Sequence, residues 1–118
     1  MDRIRFVTHR ERRILLIDFT DCKPPEIAEL ADRVPAIVTQ EPTKSVLLLA
    51  DFTGAEFSRD AVERLKVATA IDKPHINRAA WVLDSNLPKA LYDSIRTFST
   101  RDLPTFATRG EALDYLAS

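Results

Sequence analysis

Val46-Leu47-Leu48-Leu49-Ala50-Asp51-Phe52-Thr53-Gly54-Ala55-Glu56-Phe57 is the stretch that decides the fold. Its apolar half, Val46 to Ala50, has no polar residue to mark a solvated face. A strand with one wet face alternates, and a surface helix repeats every three to four residues. A short continuous run closed by Thr53-Gly54 reads instead as a strand, Ser45–Phe52, buried on both faces. Such strands belong to parallel sheets sandwiched by helices.

Working outward, Ser58 suits an N-cap, with Asp60 and Glu63 in the early turns of the helix it opens. Ala61, Val62, Leu65, Ala68 and Thr69 make that helix's apolar face, and it stops before Pro74. Ala79–Leu83 is a further buried strand. Pro88 opens a helix with Leu91, Ile95 and Phe98 on one face, so Phe98 and the strand residue Trp81 are expected in the core. Leu103–Ala107 is a short strand, and Arg109-Gly110-Glu111 leads into a last helix with Ala112, Leu113 and Leu116.

Upstream, Ile27, Leu30, Val34, Ile37 and Val38 trace one helix face behind Pro24-Pro25, and Pro35 predicts a kink or a break near Val34. Ile14–Phe19 is another continuous apolar strand. Ile4–His9 precedes it across a turn at Arg10–Arg12, too short for a parallel return. The order is β-β-α-β-α-β-α-β-α. It implies a single α/β domain with a mostly parallel five-stranded sheet and an antiparallel N-terminal strand. No internal repeat, low-complexity tract or linker divides the 118 residues.

Composition narrows the function. Two glycines, Gly54 and Gly110, cannot build a phosphate-cradling loop or a dinucleotide fingerprint. One Cys and two His fall short of the roughly four clustered ligands of a zinc site, and Cys22 has no disulfide partner. No apolar run approaches the roughly 18–20 residues of a membrane span. With no apolar leader at the N-terminus and a single Cys, the expected location is the cytoplasm, without membrane insertion. The net charge is −1, but residues 1–13 carry +3. Without an aromatic platform or a recognition helix, that basic patch reads as a solvated hairpin rather than a nucleic-acid surface.

Ligands in parallel α/β sheets bind beyond the carboxyl ends of the strands. Asp18, Thr20, Asp21 and Cys22, then Asp51, Thr53 and Glu56, then Asp84, Ser85 and Asn86 should share that edge. Three acids from three loops could hold Mg²⁺ or exchange protons. Equally, Asp, Asn, Ser and Thr are the ordinary residues of turns and caps, and no basic residue is obviously placed beside them to hold a phosphate. Cys22 lies far from His9 and His75, and a lone Cys reads as packing. No nucleophile is paired with a base, so no catalytic residue and no cofactor are expected. Phe52 and Phe57 flank the Thr53-Gly54 turn, as an apolar wall or as a seal on the core.

The strand–turn–helix stretch Val46–Phe57 and the element order around it resemble the STAS domains, the family of bacterial anti-anti-sigma factors and sulfate-transporter tails. The likeness is greatest to divergent STAS-like bacterial proteins of unknown role, often grouped with the CRAL-TRIO lipid-carrier fold. Asp18-Phe19-Thr20-Asp21-Cys22, Lys73-Pro74 and Phe106–Leu113 also resemble segments of those proteins, and the likeness spans about residues 13–117. The resemblance implies a non-enzymatic signalling module that docks a regulatory protein, often under phosphorylation. The implied docking surface is Asp51, Thr53, Gly54, Phe57, Ser58 and Asp60, with Asp84 and Ser85 beside it. Ser58 is the candidate phosphoacceptor, at the start of Phe57-Ser58-Arg59-Asp60-Ala61. The family's Asp-Ser pair and the glycine that follows it are absent.

A second reading makes the chain a carrier or sensor of a small apolar, lipid-like ligand between sheet and helices, walled by Phe52, Phe57 and Trp81. Strands in sequential order would put the crossover helices on one face of the sheet. The opposite apolar face would then need a cover, and a homodimer is one solution.

Overall fold

A computed structural model of the chain describes residues 2–118. The elements are β1 (Ile4–His9), β2 (Arg12–Asp18), α1 (Pro24–Val38), β3 (Val46–Asp51), α2 (Arg59–Asp72), β4 (Ile76–Val82), α3 (Lys89–Ser99), β5 (Thr105–Phe106) and α4 (Arg109–Ala117). The sheet runs β1-β2-β3-β4-β5 in space. β1 is antiparallel to β2, and the other three pairings are parallel.

The continuous apolar strands are explained by two cores. Leu15 and Ile17 of β2, Leu48 and Ala50 of β3, and Ala79 and Trp81 of β4 face α1, α2 and α3. The alternate residues Ile14, Leu16, Leu47, Leu49, Ala80 and Val82 face the other way and pack against Ala112 and Leu116 of α4. The apolar stretches of these strands are buried on both sides, while the polar residues of β2 and β4 lie towards the strand ends, as Arg12, Arg13, Asn77 and Arg78 do.

α4 corrects the argument for a second copy. The face opposite the crossover helices is covered from within the chain, and the motive for a homodimer disappears with it. Of the two outcomes expected at Pro35, the break does not occur: α1 runs through Pro35 to Val38. Proline removes one intrahelical bond, but the flanking Val34 and Val38 are buried in the larger core and hold the turn in place.

Phe98 is also misplaced by its spacing, being 57% exposed. Ile95 and Ser99 are the buried residues of α3, with Tyr92 packed against the core. Leu91 also packs against the core, so of the expected Leu91/Ile95/Phe98 face only Phe98 turns outward, with Ser99 buried in its place. Trp81 is in the core, as expected.

The hairpin turn is Arg10-Glu11, since Arg12 already pairs with His9. Both turn residues have positive φ, 49° and 67°, the two-residue geometry that usually calls for Asn-Gly. The basic N-terminus is engaged rather than free. Arg13 donates to Glu41 and lies over the Phe6 ring, Arg10 pairs with Asp114, and Arg3 and Arg5 approach Asp18. No helix among the described residues is long and apolar enough to cross a membrane.

Candidate functional site

The carboxyl ends of β2, β3 and β4 bring the expected polar residues to one rim. The tripeptide Asp-Phe-Thr occurs there twice, as Asp18-Phe19-Thr20 and Asp51-Phe52-Thr53. Asp18 and Asp51 are register partners on adjacent parallel strands, so the two copies lie side by side. In each, the aspartate turns back on its own threonine. Asp18 Oδ1 accepts from Thr20 N at 3.1 Å and Thr20 Oγ1 at 2.6 Å. Asp51 Oδ1 accepts from Thr53 N at 3.0 Å and Thr53 Oγ1 at 2.7 Å. The two phenylalanines stack with centroids 4.5 Å apart and ring planes 9° from parallel. Below them Phe52 meets Trp81 at 4.8 Å, and Phe57 at 5.4 Å.

Arg109, from the first turn of α4, bridges the pair. Its Nε donates to Asp51 Oδ2 at 2.7 Å, and its Nη2 lies 3.4 Å from Asp18 Oδ1. Arg3 adds bonds to the Asp18 and Thr20 carbonyls, both 2.9 Å. Burial opposes ionisation of Asp18, but the Thr20 hydrogen bonds and the charges of Arg109 and Arg3 outweigh it and hold the carboxyl below its usual value. The expectation that no base stands beside the rim acids is corrected: the cation comes from a distant helix.

Asp84 does not join this pair. Its Oδ2 accepts from Gly54 N at 2.8 Å, and Asn86 Nδ2 donates to the Phe52 and Ala55 carbonyls. The β4–α3 loop thus clasps the β3–α2 turn. Gly54 needs to be glycine there, because its φ is +73° and a Cβ would collide with Asp21 Oδ1. Among the described residues, no three His, Cys, Asp or Glu side chains gather as metal ligands. Cys22 is fully buried, where burial, its largest influence, pushes the thiol's pKa up. That state is unreactive. His75 lies at the opposite end of the sheet, with Nδ1 2.8 Å from the Glu41 carbonyl.

Of the residues expected on a docking surface, Thr53, Gly54, Asp60, Asp84 and Ser85 are exposed, and Phe57 and Ser58 are half-buried. Asp51 is corrected: at 3% exposure it supports the turn from below and touches no partner. Ser58 Oγ accepts from Ala61 N at 3.1 Å, the expected cap. A phosphate on Ser58 would meet the positive end of the α2 dipole. Glu56, exposed beside them, pairs with Lys23.

Of the expected apolar walls, Phe52 and Trp81 line a cavity between the sheet and helices α1 and α2, whereas Phe57 does not. The cavity holds about 30 Å³. A benzene-sized guest occupies a cavity of roughly 150 Å³, so this space admits no lipid chain in the present conformation. No family model, curated protein or solved structure matches the chain.

Proposed function

We propose that this chain is a non-enzymatic, STAS-like regulatory module. It docks a partner protein through the β3–α2 turn, with the Asp84-Ser85 loop as a flank. One observation carries the reading: the rim's inner charges are spent on each other. Asp18 and Asp51 are bound to their own threonines and to Arg109, which leaves no free acid–base pair for chemistry. What remains outward is a surface of Thr53, Gly54, Glu56, Asp60, Asp84 and Ser85 around the half-buried Phe57. Turns carried on a rigid scaffold are common recognition elements.

Affinity capture with the wild-type chain, Phe57→Asp and Asp60→Arg tests the assignment, with circular dichroism as the check on folding. The expected result is a partner whose binding weakens at least tenfold in both folded variants. Unchanged binding in both would move the interface away from this turn. Ser58 is the residue through which phosphorylation would regulate the same surface, since it opens α2 at the centre of the turn.

A further inference from the structure

The small cavity has a polar end that the packing around it does not satisfy. Asp72, at the C-terminus of α2, and Arg101, after α3, both line it. They are 2% and 8% exposed. Arg101 Nη1 donates to the Thr69 carbonyl at 3.1 Å, but Arg101 Nη2 and Asp72 Oδ1 have no hydrogen-bond partner within the protein. A buried donor and a buried acceptor are thus left open at one cavity. Left so, each would keep its full desolvation penalty.

The two groups define their ligand. A cation would suit Asp72 and repel Arg101, and an anion would do the reverse. A neutral species that both accepts and donates satisfies both. The volume limits its size, since about 10–15 Å³ is enough for a water and the cavity offers about 30 Å³. Of the other walls, Leu48, Leu65, Ala68 and Trp81 are largely apolar, and the Thr69 hydroxyl, which also lines the cavity, already donates to the Leu65 and Lys66 carbonyls.

We infer that this end of the cavity is a built hydration site, in which an internal water accepts a hydrogen bond from Arg101 Nη2 and donates one to Asp72 Oδ1. It lies at the opposite end of α2 from the docking turn and is independent of that reading. The water joins the C-terminus of α2 to the segment after α3, where no direct side-chain ion pair does so.

A crystal structure of the wild-type chain, at a resolution that defines solvent, tests the site directly. The expected result is a water within hydrogen-bond distance of both Asp72 Oδ1 and Arg101 Nη2. An empty cavity, or a direct Asp72–Arg101 pair, would overturn the inference. In solution, ¹⁷O magnetic relaxation dispersion should count at least one long-lived water in the wild type and one fewer in Arg101→Met. The absence of any long-lived water in the wild type would also overturn it, however the variant folds.

Discussion

Arg109 Nε donates to Asp51 Oδ2 at 2.7 Å, joining residues 58 positions apart in the chain. Asp51 is buried and Arg109 is its charged partner, so the bond ties the second core to the rim. Arg109→Ala strands a buried carboxylate and should cost about 3 kcal/mol. Arg109→Lys should recover only part of this, because an ammonium cannot reproduce the fork that reaches both aspartates. Urea unfolding of the two variants measures the difference.

The acid limb of stability should report Asp18. Its pKa lies below the unfolded carboxyl's, so its contribution is present above about pH 4 and is lost as pH falls through the lower, folded value. Asp18→Asn should be less stable than wild type at pH 7, and the gap should narrow in acid. A loss that does not change between pH 7 and pH 2 would show that the charge is not what stabilises.

Asp72 should act in the opposite direction. Burial raises its pKa to about 7, against the charges of Arg101 and His75, which lower it. The folded state therefore holds the proton more tightly than the unfolded chain does. The cost of ionising Asp72 is absent below about pH 4, grows as pH rises, and is complete above pH 7. It amounts to ~4 kcal/mol at most. Asp72→Asn should be the more stable protein at pH 8 and nearly equal to wild type at pH 4, as read from thermal unfolding at both values.

The Arg10-Glu11 turn leaves room for improvement. Glu11 has φ of 67°, which costs a residue with a Cβ about 1–2 kcal/mol relative to a relaxed conformation. Glu11→Gly should raise stability by about 1 kcal/mol, visible as a higher Tm.

Ser58→Ala removes the acceptor for Ala61 N and should cost about 1 kcal/mol. Ser58→Asp keeps an acceptor at the cap and should be close to neutral in chemical denaturation. If Ser58→Ala were also neutral, the serine would have no structural reason at that place.

The fold was legible because its strands are continuous apolar runs and its helices are periodic. Ile14–Ile17 and Val46–Ala50 declare burial on both faces, and four successive β–α alternations then leave few topologies. The site was legible only as a place. Gly54, Ser58 and Asp84 lie where the strand ends put them, but the pairing of Asp51 with Arg109 crosses half the chain and leaves no local trace. One signal was available: the repeated Asp-Phe-Thr, 33 residues apart, at the ends of two apolar strands. Its recurrence after two strands that would pair in parallel predicts side-by-side aspartates in need of a cation. Phe98 was unreadable for a different reason, since spacing alone does not say where the buried stripe of a short helix is centred.

The cover supplied by α4 bears on how the molecule comes to be made. Six core residues from β2, β3 and β4 wait for Ala112 and Leu116 to shield them, yet these two come after all five strands in the order of synthesis. Until that last helix emerges, a nascent chain presents one complete oily surface to whatever surrounds it. Chaperone dependence during translation should therefore concentrate in the interval between β4 and α4, and it should end when the helix docks.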